Sequence, residues 1–85
     1  MKQITMYTTA LCPYCLMAER LLASKGVENI DKIRIDEQPE RFTEMLERTR
    51  RRTVPQIFIG DSYVGGYQEL AALNHEGILD ELLRE

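Results

Sequence analysis

Residues 2–36 read KQITMYTTALCPYCLMAERLLASKGVENIDKIRID, and the reading of this stretch decides the fold. Residues 2–7 alternate polar and apolar, with Ile4 and Met6 on one face, which is the period of a strand. Thr8 to Leu11 make a short loop. From Pro13 to Lys25 the period becomes helical. Met17, Leu21 and Ser24 form one row, flanked by Ala18 and Leu22 on the core side. Pro13 suits the first helical position, where its missing N–H leaves nothing unpaired. Gly26 stands where a left-handed C-terminal cap is expected. Lys32 to Asp36 alternates again, with Ile33 and Ile35 inward. Strand, helix and strand in this order predict a parallel pair joined by a right-handed crossover.

Working outward, Pro39 opens a second helix. Phe42, Met45, Leu46 and Thr49 follow at i, i+3, i+4 and i+7. Arg48, Arg50, Arg51 and Arg52 end it, where cations suit the negative pole. Gln56 to Ile59 read as a third strand, Gly60-Asp61 as a two-residue turn, and Ser62 to Val64 as the returning strand. Gly65-Gly66 break it. Tyr67 to Glu76 read as a helix capped by Gly77, and Ile78 to Arg84 as a short final one. The order β-α-β-α-β-β-α predicts an α/β fold, a four-stranded mixed sheet flanked by helices. Residues 1–85 are expected to form a single domain.

Composition narrows the function classes. Of 85 residues, 44% are hydrophobic and 29% charged, ordinary proportions for a patterned globular chain. No apolar run is long enough to cross a bilayer. The net charge of −3 argues against a general nucleic-acid binder. Met1-Lys2-Gln3-Ile4-Thr5 is too polar for a secretory signal, so a cytoplasmic protein with no membrane partner is expected. The only two cysteines, Cys12 and Cys15, are three apart. A bond between them closes a loop too small to stabilise the fold by much. Redox or metal chemistry is the better account of the pair.

The Cys12-Pro13-Tyr14-Cys15 motif lies between the first strand and the first helix, a setting that reads as a redox motif. The thiolate is the attacking species in disulfide exchange. Cys12 is expected at the helix N-terminus, where free N–H groups and the macrodipole stabilise an anion. It is therefore the attacking thiol, and Cys15, one turn in, is the more buried resolving thiol. Free cysteines are often small buried hydrophobes, but chance rarely sets two at this spacing on such a junction. A structural zinc site wants four ligands, and the chain offers two cysteines and the distant His75. No metal site is expected, and His75 is read as a solvated or capping residue.

Three separated motifs carry a family resemblance: Cys12-Pro13-Tyr14-Cys15, Thr53-Val54-Pro55 and Gly65-Gly66. With the length and element order, they make the whole chain similar to the dithiol glutaredoxins. The resemblance implies a thioredoxin-like fold and a glutathione-dependent thiol–disulfide oxidoreductase that reduces protein disulfides and glutathione mixed disulfides. It implies Cys12 as nucleophile, Cys15 as resolving cysteine, and Tyr14 as a ring lining the glutathione groove. Val54-Pro55 resembles the family's cis-proline turn, whose backbone pairs strand-like with the cysteinyl part of glutathione. Thr53 flanks that turn. Gly66 lets a ligand backbone approach, and the N–H groups of Tyr67 and Gln68 would meet the γ-glutamyl carboxylate at a helix start. Two positions depart from the family pattern: Thr9 stands where a lysine is usual, and Gln68 where an acidic or hydroxyl residue is usual. Both normally help to hold the charged ends of glutathione.

Arg50-Arg51-Arg52 has two readings of equal standing: a solvated helix end, or a local basic patch for an anionic tripeptide. No tightly bound cofactor is expected, with glutathione as co-substrate, disulfide-containing or glutathionylated proteins as partners, and a monomeric state. Two rivals stay open. One is a redoxin reduced by a flavoprotein reductase and serving an enzyme such as ribonucleotide reductase, against which Tyr14 and the glycine pair count. The other is an iron–sulfur carrier bridging two chains through Cys12 and glutathione, which the stiffening Pro13 disfavours.

Overall fold

The computed structural model describes residues 1–84; Glu85, the end of the expected domain, lies outside the described residues. The elements are β1 (Ile4–Thr8), α1 (Pro13–Ser24), β2 (Ile30–Arg34), α2 (Pro39–Thr49), β3 (Gln56–Ile59), β4 (Ser62–Gly65), α3 (Tyr67–His75) and α4 (Ile78–Leu83). The sheet order is β2-β1-β3-β4. β1 and β2 run parallel, with Ile4 opposite Ile30. β1 and β3 are antiparallel, with Ile4 opposite Ile59, and β4 returns antiparallel to β3.

Strand alternation sorts the core into two layers. Ile4 and Met6 of β1 with Ile57 and Ile59 of β3 face α1, α3 and α4, meeting Cys15, Ala18, Leu22, Leu70, Leu79 and Leu83. Tyr7 and Phe58 point to the opposite face and pack with Ile33 and with Met45 of α2. The buried Tyr7 hydroxyl donates to the Glu44 carboxylate and accepts from Arg48 at 2.9 Å. The core row of α1 is thus Cys15, Ala18 and Leu22, whereas Met17 is exposed.

One strand lies two residues earlier than the sequence predicts. β2 begins at Ile30, because that residue pairs with the first residue of β1, and it ends at Arg34 rather than Asp36. Ile35 still donates its N–H to Thr8 O at 3.1 Å. Asp36 leaves the ladder, and its carboxylate serves the loop described next.

Candidate active site

The loop from β1 to α1 is held from the side by Asp36. Its carboxylate accepts the Ala10 N–H at 3.1 Å and two Arg34 guanidinium hydrogens at 2.8 and 2.9 Å. The Arg34 bonds, aided by the Ala10 N–H, hold the Asp36 carboxyl well below the usual carboxylate range. This anchor is intact above that range and is lost only in strong acid.

The loop delivers Cys12 to the N-cap of α1, in extended backbone geometry. Pro13 follows at the first helical position and has no N–H, so the nearest free donors belong to Tyr14 and Cys15. The Cys15 N–H points at Cys12 Sγ, 3.1 Å away. No acidic residue stands in the first turn of α1, so nothing neutralises its positive pole. Cys12 and Cys15 are joined as a disulfide, their Cα atoms 5.2 Å apart. Cys15 is only 2% exposed and packs in the core, whereas Cys12 is half-buried at the surface. Reduction of this bond frees one accessible sulfur and one sheltered sulfur. Alkylation of the reduced protein against pH is therefore expected to show one thiol titrating well below about 8.5, with the adduct mapping to Cys12. A single titration at the free value would remove the helix-terminus account.

Beside the sulfur runs a groove of about 310 Å³. Tyr14, Thr53, Val54, Pro55, Gly66, Tyr67 and Gln68, all expected from the sequence, line it. Tyr14 and Tyr67, both in its lining, have ring centroids 6.1 Å apart. The Val54–Pro55 peptide bond is cis, as the motif implies, and Val54 O lies 3.8 Å from Cys12 Sγ. The facing wall is the start of α3, with Gly66 at its N-cap. The two walls are close: a Cβ on Gly66 would sit 3.3 Å from Pro55 O.

Two lining residues were not singled out by the motifs, Arg51 and Glu69. Glu69 Oε1 accepts the Gly66 N–H at 2.7 Å and pairs with the Arg51 guanidinium at 3.4 Å. The Gly66 N–H, with Arg51 adding to it, lowers the Glu69 pKa against the opposing effect of burial. The spacing of Glu69 three residues after a helix N-cap was the available signal. Of the three consecutive arginines, Arg51 alone lines the groove among the described residues. Arg50 ends α2 in the left-handed conformation at φ 61°, and Arg52 stacks over Phe42 at 5.7 Å. Thr9, in the loop before Cys12, is half-buried. His75 is exposed in the last turn of α3, and no cluster of metal-ligating side chains occurs among the described residues. No helix among them is long and apolar enough to cross a membrane.

Comparison with known proteins bears on this site. The glutaredoxin family model matches residues 4–64. A glutaredoxin of Neisseria meningitidis serogroup B is 54% identical over 83 residues, covering 98% of each chain. The solution structure of a glutaredoxin from Brucella melitensis superposes with a TM-score of 0.84 at 49% identity, covering 98% of this chain and 89% of that one. The crystal structure of a buckwheat glutaredoxin–glutathione complex superposes with a TM-score of 0.88 at 25% identity, covering 96% and 76%.

Proposed function

From the premise that the chain belongs to the glutaredoxin family, with its thioredoxin-like fold and thiol–disulfide oxidoreductase chemistry, we propose that glutathione is its co-substrate and that it reduces both protein disulfides and glutathione mixed disulfides. The observation that carries this reading is the groove whose wall residue Val54 stands beside the sulfur. Its walls are the Thr53–Val54–Pro55 turn and the start of α3, and Val54 O lies 3.8 Å from Cys12 Sγ. A tripeptide lying there would pair its backbone with Val54 and set its own sulfur against Cys12. Its γ-glutamyl carboxylate would meet the N–H groups of Tyr67 and Gln68. Arg51 offers a cation for a carboxylate, shared with Glu69. The buckwheat complex supports the same ligand class for this groove.

The sulfur chemistry balances in two ways. On a glutathione mixed disulfide, Cys12 thiolate attacks the glutathionyl sulfur and the substrate leaves as a thiolate, which takes up a proton. A second glutathione thiolate then attacks the Cys12–glutathione disulfide, releasing oxidised glutathione and restoring Cys12 thiolate. On a protein disulfide, Cys12 forms a mixed disulfide with the substrate. Cys15 then attacks Cys12 Sγ, releasing the substrate as a dithiol and leaving the Cys12–Cys15 bond found here. Two glutathione molecules reduce that bond in turn.

A coupled assay with glutathione, glutathione reductase and a small glutathione mixed disulfide tests the proposal. Turnover that saturates in the mixed disulfide is expected. Reduction of the Cys12–Cys15 bond by a flavoprotein reductase but not by glutathione would favour the redoxin reading. Visible absorbance of freshly purified protein would favour the iron–sulfur carrier.

A further inference from the structure

Gln56 opens β3 with a side chain fully shut off from solvent. A buried amide costs stability unless its donors and acceptor are matched. Here they are. Nε2 donates to Thr53 O at 2.9 Å and reaches Thr53 Oγ1 at 3.3 Å. Oε1 accepts from the Tyr63 hydroxyl at 2.5 Å. Tyr63 is held in turn by its ring, which packs on Phe58 with centroids 5.2 Å apart. Arg51 reaches Glu69 at 3.4 Å, and Glu69 reaches the Gly66 N–H at 2.7 Å. Two sets of polar contacts thus brace the groove: Gln56 and Tyr63 behind Thr53 on one wall, and Arg51 and Glu69 behind Gly66 on the other.

We propose that Gln56 and Tyr63 are positioning residues of the reaction. Neither lines the groove among the described residues, so neither is placed to touch substrate. Gln56 fixes the Thr53 carbonyl, and with it the angle at which the Val54 backbone faces the substrate beside Cys12. Tyr63 locks the Gln56 amide in the one orientation that donates to Thr53. The substrate to be positioned is the glutathione adduct of the proposed function, and on that reading this inference rests.

Tyr63→Phe deletes one hydroxyl and keeps the ring on Phe58. The KM for a glutathione mixed disulfide is expected to rise about threefold to tenfold, with kcat held within about twofold, because binding geometry is lost while the sulfur chemistry is not. The backbone amide chemical shifts of Thr53 and Val54 are expected to move in the same variant. Gln56→Met, which removes the amide at similar length, is expected to do the same. The double variant should be no worse than the poorer single, since both break the same Tyr63–Gln56 contact. A lower melting temperature with KM and the Thr53 and Val54 amide shifts unchanged would overturn the proposal, as would additive KM effects or moved shifts without a change in KM. If Gln56→Met does not fold, Tyr63→Phe alone decides. Should the wild type fail to turn over the mixed disulfide, the glutathione reading falls, and the Thr53 and Val54 amide shifts in Tyr63→Phe, which need no ligand, still judge whether Tyr63 and Gln56 hold this wall.

Discussion

Cys12→Ser is expected to reduce turnover to the uncatalysed background on every disulfide substrate, while Cys15→Ser keeps much of its activity on glutathione mixed disulfides and loses the reduction of protein disulfides. The difference follows from burial and from the helix end. Cys12 is the reachable sulfur, with the Cys15 N–H aimed at it from 3.1 Å and an uncompensated helix pole beneath it. A serine oxygen there is not ionised near pH 7 and forms no disulfide. Cys15, 2% exposed in the core, cannot replace it. On the proposed reading, a second glutathione would reach the Cys12 adduct of a mixed disulfide from the groove, which would make Cys15 dispensable there. On a protein disulfide, the bulky adduct blocks that approach, and the neighbouring Cys15 is the efficient resolver. Steady-state rates of both variants on the two substrate types separate the roles. Equal loss in the two variants on the small mixed disulfide would refute the assignment.

What the sequence made legible was local. The Cys12–Cys15 spacing, Pro13 and the period of α1 all act within one helical turn of each other, so the site's centre could be read directly. The Thr53–Val54–Pro55 and Gly65–Gly66 motifs pointed to the groove walls only through the family resemblance, because nothing local in either says that the two face each other. The start of β2 was not legible, because Ile30 sits between polar neighbours and belongs to the strand only through its pairing with Ile4. The three arginines are interchangeable as text. What separates them is the left-handed turn at Arg50, whose N–H caps α2 at Leu46 O. Gln56 and Tyr63 look like ordinary strand residues. Their roles depend on a hydrogen bond across the β3–β4 hairpin, which no period reports. Glu69 could have been found from capping logic, three residues beyond Gly66.

Gly65→Ala is expected to be the most damaging single-atom change outside the cysteines, and its contrast with Gly66→Ala tests how the α3 wall is built. Gly65 has φ +115°, a region that side chains on L residues rarely enter. Forcing alanine into such a conformation costs on the order of 1–3 kcal/mol. The new methyl would also lie 2.8 Å from Glu69 Oε1 and 3.2 Å from Glu69 Cβ. The carboxylate tip can swing aside, but Cβ moves only with the helix. Glu69 would then release the Gly66 N–H and the Arg51 guanidinium together. The first turn of α3 would shift, and with it the Tyr67 and Gln68 N–H groups proposed to hold the ligand carboxylate. A domain of this size loses roughly 4–8 °C of melting temperature per kcal/mol, so a fall of about 10 °C or more is expected. A lost charge-assisted hydrogen bond is worth about 1.5–3 kcal/mol, and KM for the mixed disulfide should therefore rise about tenfold or more. Gly66 has φ −91°, open to any residue, and its added Cβ would meet only Pro55 O at 3.3 Å and Glu69 Oε1 at 3.4 Å. Gly66→Ala should therefore keep most of its stability and act by narrowing the groove. Thermal melts and steady-state kinetics of the two variants decide the matter. Equal melting temperatures for both would mean that the positive φ at Gly65 and the Glu69 contact do not hold this wall in place.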